Sequence, residues 1–180
     1  MNNREREYIF ADLPDIGYST DIDTVMASSY QVKKQLQQIV KIEQPITNTL
    51  LYKRILRIWN LTRVTTRLQV FIDSLLEDAY KDPLSGDTII YWENKEKAKE
   101  CDFYRINSKR DILDIPILEV MSAARYAIEQ QISMPIEDLK RLTSQLLGFS
   151  RKGNNLDMVT EQTIQLLINK GIFSHANGMV

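Results

Sequence analysis

The stretch 50-LLYKRILRIWNLTR-63 has a counterpart in 137-EDLKRLTSQLLGFSR-151, and setting one on the other decides the fold. Shifted by 88 residues, Leu51 falls on Leu139, Ile58 on Leu146, Trp59 on Leu147 and Arg63 on Arg151. The same shift carries Leu68 onto Leu156, Phe71 onto Val159, Leu76 onto Ile164 and Tyr80 onto Ile168. A Pro-Ile pair precedes each stretch, at 45–46 and 135–136, with a two-residue difference in spacing. Apolar register sustained from Leu51 to Tyr80 implies two homologous units joined by a linker.

Outward from these stretches, each unit reads as three helices. Val32, Leu36, Ile39 and Val40 line one helical face, and Pro45 closes that helix because proline disfavours helical geometry in the residue before it. Leu51, Ile55 and Ile58 mark a second helix, and Leu68, Phe71, Ile72, Leu75 and Leu76 a third. In the other unit the faces are Ile117, Val120, Met121, Ala124 and Ile128, then Leu139, Leu142 and Leu146, then Leu156, Val159, Ile164, Leu167 and Ile168. Gly148 and Lys170-Gly171 read as helix stops.

After its third helix each unit turns to β. Asp87-Thr88-Ile89-Ile90-Tyr91-Trp92 is rich in β-branched and aromatic residues, with a Leu84-Ser85-Gly86 turn before it and a partner strand at Phe103-Tyr104-Arg105. Ile172-Phe173 precedes Asn177-Gly178, a favoured hairpin turn. The expected fold is mainly α with small β-hairpin wings, a tandem winged helix-turn-helix. Its expected parts are an acidic segment 1–23, a first unit 24–92, a charged linker and wing strand 93–111, and a second unit 112–180.

Composition sets the outer bounds. The chain has 180 residues, 43% hydrophobic and 26% charged, which fits an ordinary globular protein and excludes wholesale disorder. No apolar run is long enough to span a bilayer and the N-terminus lacks a signal-peptide core, so a cytoplasmic protein with no membrane partner is expected. One cysteine, Cys101, excludes a disulfide framework, and one histidine, His175, removes most histidine-based catalysis. The expectation is a protein that is not an enzyme and uses no cofactor.

Net charge is −1, but its distribution is uneven. From Gln44 to Ile72 stand Lys53, Arg54, Arg57, Arg63 and Arg67 with no acid; from Leu139 to Leu156 stand Lys140, Arg141, Arg151 and Lys152, again with none. Local surplus matters for phosphate contact because screening acts within about 8 Å at physiological salt.

The segments IEQPI, LLYKRILRIWNLTR, IIYW, FYRI, LEVMSAARYAIEQQ and EDLKRLTSQLLGFSRKG together resemble an uncharacterised bacterial domain. That domain stands at the C-terminal end of large superfamily-I helicase-like proteins that also carry a restriction-endonuclease-like module. The resemblance covers residues 30–172 and implies a nucleic-acid context with helicase or nuclease partner domains. Val64-Thr65 departs from the pattern, in which glycine is common after the arginine. No GxxxxGK[ST] loop is present to supply ATPase chemistry.

Three motifs compete for a chemical role. Asp87, Glu93 and Lys95 loosely match a metal-dependent nuclease spacing, but too few strands are available for such a core, and a wing running into a solvated loop accounts for them. Trp59 lies on the core register, whereas Trp92 could be core or a base-stacking residue. The strongest signal is at the openings of the third helices: Arg63-Val64-Thr65-Thr66-Arg67 and Arg151-Lys152-Gly153-Asn154-Asn155. Thr, Asn and Gly there are first of all capping residues, yet free N–H groups at a helix start also suit phosphate. In helix-turn-helix proteins these positions meet base edges and backbone. Arg63 and Arg151 could instead bridge to an acid or to carbonyls of the preceding turn. The expected activity is non-catalytic duplex-DNA binding through Arg63, Thr65, Thr66, Arg67, Arg151, Lys152, Asn154 and Asn155, with Lys53, Arg54, Arg57, Lys140 and Arg141 adding positive potential. A protein-interaction module, like the tandem winged helices of chromosome segregation and condensation proteins, is the alternative.

Overall fold

The computed structural model describes residues 3–18, 20–82, 88–106, 109–131, 133–174, 176 and 178–180. In chain order these form β1 (Glu5–Glu7), α1 (Ile22–Ala27), α2 (Ser29–Glu43), β2 (Ile46–Thr47), α3 (Asn48–Ile58) and α4 (Thr66–Leu75). There follow β3 (Tyr80–Lys81), β4 (Ile90–Trp92), α5 (Lys95–Lys99), β5 (Tyr104–Ile106) and a 3-10 turn at Ile112–Asp114. The chain continues with α6 (Ile117–Glu129), α7 (Ile136–Leu146) and α8 (Asn154–Asn169). The protein is mainly helical, with a small antiparallel three-stranded sheet.

Contacts divide the chain into two compact units, Ile9–Glu100 and Met1–Tyr8 with Cys101–Val180. The acidic start is therefore shared between units, since β1 pairs in parallel with β5 (Glu5 opposite Tyr104, Glu7 opposite Ile106). The segment 93–111 is likewise divided, at Glu100.

In the Ile9–Glu100 unit, the face Val32, Leu36, Ile39 and Val40 is buried against Leu51, Ile55 and Ile58 of α3 and Leu68 and Ile72 of α4. The sheet has the order β2-β4-β3, with Ile46 opposite Tyr91 and Tyr80 opposite Trp92. The strand that precedes α3 thus pairs with the last strand of the unit. Phe103-Tyr104-Arg105, expected as the partner of this wing, is not: β5 lies in the other unit beside β1. The Leu84-Ser85-Gly86 turn and Asp87 lie outside the described residues.

In the other unit α6, α7 and α8 pack together, with Val120, Ala123, Leu147 and Leu156 buried. Met134 exchanges both backbone hydrogen bonds with Val180 (3.1 and 3.0 Å), and Met179 also bridges to Ala176. The residues ahead of α7 thus pair with the chain end. Ile172 and Phe173 are not in a strand: both amides donate to the Leu167 carbonyl, closing α8 over Gly171. Asn177 and His175 lie outside the described residues.

Helices α3 and α7 end in the same way. Asn60 is left-handed (φ 50°), its amide donates to Arg57 and that of Leu61 to Leu56. Gly148 is left-handed (φ 89°), with Gly148 donating to Gln145 and Phe149 to Ser144. Each is a paired-bond helix stop in which the left-handed residue satisfies otherwise orphaned carbonyls. Gly148 was legible as a cap; Asn60 fills the role because asparagine tolerates that conformation better than most residues. The two Pro-Ile pairs, in contrast, are not equivalent. Pro45 precedes β2, whereas Pro135 is the N-cap of α7 and matches Thr47, the N-cap of α3.

Buried polar groups in the second unit include Glu119 and Thr143. Glu119 is fully buried and accepts from the guanidinium groups of Arg105 and Arg110 and from the Arg105 amide (3.0 Å), with Tyr8 covering both arginines. Thr143, at the position matching Ile55, is also fully buried, and its hydroxyl has no hydrogen-bond partner among the described residues. Burial pushes the Glu119 pKa up, but the two arginines outweigh it and bring the carboxyl down to about 2 from an ordinary 4.5. Its stabilising contribution is therefore complete above the unfolded value of 4.5 and is lost as pH falls toward 2. Glu119→Gln, which leaves two buried cations uncompensated, should cost about 3–5 kcal/mol by urea denaturation at pH 7, and less as the acid limit is approached. Thr143→Val, which removes a desolvated hydroxyl, should raise stability by about 1 kcal/mol in the same assay.

Candidate nucleic-acid interface

The openings of α4 and α8 begin from different caps at matching positions. Thr65 caps α4, its side-chain oxygen accepting from the Leu68 amide at 3.2 Å. Gly153 is the N-cap of α8 and supplies no side-chain cap. Thr65 thus stands where the glycine of the resembling pattern would, and its hydroxyl does the capping that glycine cannot. Thr66, Arg67, Asn154 and Asn155 follow as the first helical residues, all exposed. Leu68 and Leu156, at matching positions, are both buried and anchor these openings on the cores.

The expected cations divide into four groups. Arg63, Arg151 and Lys152 are exposed and make no ion pair among the described residues, so neither arginine bridges to an acid. Arg67 and Arg141 are exposed but paired, with Asp23 at 2.7 Å and Asp138 at 3.1 Å. Such surface pairs are weak and exchangeable. Arg54 and Lys140 are structural. Arg54 makes a two-pronged contact with the fully buried Glu43 (2.9 to 3.1 Å), and Glu43 also accepts from the Ala11 amide.

Lys140 is buried among Asp157 (2.8 Å), Glu161 (3.1 Å) and Glu137 (3.2 Å). Burial lowers the Lys140 pKa, yet hydrogen bonds to these three carboxylates more than reverse it and hold the ammonium above its ordinary 10.5. Lys53 and Arg57 are exposed on α3, with Arg57 5.1 Å from the ring centre of Phe10. Positive potential around the openings is therefore smaller than the acid-free stretches imply. Acids outside the stretches, whether distant in sequence (Asp23) or just beyond their ends (Glu43, Asp157, Glu161), fold back onto them.

A cleft lined by Lys140, Ser144, Phe149, Arg151, Lys152 and Gly153 runs between α7 and the start of α8. A second, shallower one meets it at Arg151 and includes Asp111, Asn154 and Asn155. On α4 the corresponding outer face is apolar: Met26, Val70 and Phe71 line a shallow cleft with Thr66, Arg67 and Ser74. Sequence reasoning missed this strip, although Arg67, Val70 and Ser74 stand at i, i+3 and i+7, opposite the buried Leu68–Ile72 face.

Both tryptophans are core residues. Trp59 donates to Gln35 and Trp92 to Asp82, so Trp92 offers no face for stacking. Of the nuclease-like residues, Asp87 lies outside the described residues, Glu93 is exposed beside Gln44, and Lys95 opens α5. Among the described residues no three of His, Cys, Asp and Glu are grouped to hold a metal. Cys101 is half-buried.

A family model described as a protein of unknown function, DUF3320, matches residues 26–70. The matched segment runs from the end of α1 through α2, β2 and α3 into the opening of α4. No curated protein and no solved structure matches the chain. No helix among the described residues is long and apolar enough to cross a membrane.

The division of the cations is open to direct measurement. Arg54→Ala strands a buried carboxylate and should lower stability by about 3–5 kcal/mol. Arg57→Ala, one helical turn away on the surface, should cost less than about 1 kcal/mol by the same chemical denaturation. Equal costs would refute the division.

Proposed function

We propose that the chain is a non-catalytic duplex-DNA-binding module of two homologous winged helix-turn-helix units, accessory to helicase-type DNA-processing machinery. Several correspondences support the repeat. The three main helices start at Ser29, Asn48 and Thr66 in one unit and at Ile117, Ile136 and Asn154 in the other, each pair 88 residues apart. The left-handed stops Asn60 and Gly148 and the N-caps Thr65 and Gly153 obey the same shift. Each unit also pairs the residues ahead of its second helix with the last strand of a terminal hairpin, the strand order of a winged helix. The helicase context rests on the sequence resemblance alone.

The observation that carries DNA binding is the arginine pair Arg63 and Arg151. They occupy the same repeat position, three residues before the first helical residue, exposed and without an acid partner among the described residues. An unpaired cation ahead of a helix N-terminus is suited to a phosphate, which the helix dipole also favours. Arg67 and Lys152 extend this surface, and Asn154 and Asn155 are placed to reach base edges. One observation favours the protein-interaction alternative: the exposed Val70 beside the half-buried Phe71 on α4 and Met26 on α1, where a recognition helix is ordinarily polar.

A salt titration separates the readings. With Arg63, Arg67, Arg151 and Lys152 as the contacts, log affinity for random duplex should fall with log salt at a slope of about −3 to −4. Reversing Arg151 and Lys152 to glutamate should weaken binding by roughly 2–3 kcal/mol at low salt. Affinity indifferent to salt, or lost only when Val70 is made polar, would transfer the function to a protein partner.

A further inference from the structure

Near each helix opening stands an acid from the short helical element that precedes the three main helices of its unit, at the same repeat position. Asp23, in the first turn of α1, falls on Asp111 under the 88-residue shift. Asp23 holds Arg67 at 2.7 Å, and Met26, one turn further along α1, lines the cleft on the face of α4. Asp111 caps the 3-10 turn, accepting from the Leu113 amide at 2.9 Å, and this turn packs on α8. Its side of the cleft is shared with Arg151, Asn154 and Asn155. Both aspartates are exposed, so neither is needed to satisfy a buried charge.

We infer that α1 and the 3-10 turn at Ile112–Asp114 act as built-in anion mimics, Asp23 and Asp111 competing with nucleic-acid phosphate for the openings of α4 and α8. This rests on the DNA-binding reading and adds its regulation. A phosphate that reaches Arg67 must displace Asp23, and one that approaches Arg151 and the α8 N-terminus meets the field of Asp111. Both carboxylates oppose non-specific contact, which is almost wholly electrostatic. The cost falls on every duplex alike, so the acids lower occupancy of random DNA without changing the ratio of affinities between sites.

The test is an anisotropy titration of a short mixed-sequence duplex against the full chain, wild type and Asp23→Asn, Asp111→Asn and the pair. Asparagine keeps the capping bond of Asp111, so folding is preserved. Each neutralisation should tighten binding by about three- to fivefold at low salt, with the gain shrinking as salt rises. Arg67→Ala should abolish the gain from Asp23→Asn, and Glu96→Gln, an equal change of net charge on α5, should give none. Should Arg151→Glu weaken binding while both aspartate variants match wild type, or Glu96→Gln give the same gain, the mimic is wrong and DNA binding stands. If neither wild type nor the double asparagine variant binds, both fall together.

Discussion

The constraint on which both units depend is the abrupt stop of α3 and of α7 at a left-handed residue. At Asn60 and Gly148 the chain leaves the helix, satisfies two carbonyls and turns, and five residues later it has reached the N-cap of the next helix. Little freedom is left in such a turn. It fixes the side from which α4 or α8 departs, and Leu68 or Leu156 then seats that helix on the core. What remains outside is the short run Arg63–Arg67 or Arg151–Asn155, presented because the turn before it and the leucine after it are both spoken for.

Charge obeys a different geometry from the one counted along the chain. A stretch without acids is basic only if nothing folds against it. Glu43 comes from α2 to hold Arg54, Asp23 from α1 to hold Arg67, and Asp157 and Glu161 from α8 to surround Lys140. Burial decides which of these pairs are fixed. Glu43 is fully enclosed and cannot give up its arginine without a large penalty, whereas Asp23 and Arg67 are solvated and can separate cheaply. Arg63, Arg151 and Lys152 at the helix openings stay exposed and make no ion pair among the described residues.

Much of the fold was legible because helical burial leaves a periodic trace. The faces around Val32–Val40, Leu51–Ile58 and Leu68–Ile72 gave their helices, and Trp59 its place in the core. The strands were less legible. They are two or three residues long, too short for a period, so Phe103-Tyr104-Arg105 was given the wrong partner, and β1 left no trace before β5 was found beside it. The Glu119 cluster escaped for the same reason: its arginines stand 14 and 9 residues away, and only a fold brings them to one carboxylate. At the openings the residue types were visible, but not which cations were already engaged, since the engaging acids lie on other elements.

The central claim is that nucleic acid meets the chain at the two helix openings, and amide chemical shifts report this most directly. On titration of the labelled full chain with mixed-sequence duplex at low salt, the account predicts the largest changes at residues 63–67 and 151–155. Changes confined to the Val70–Phe71 strip of α4, or to the groove between Val40, Leu75 and Trp92, or no change at all, would contradict it.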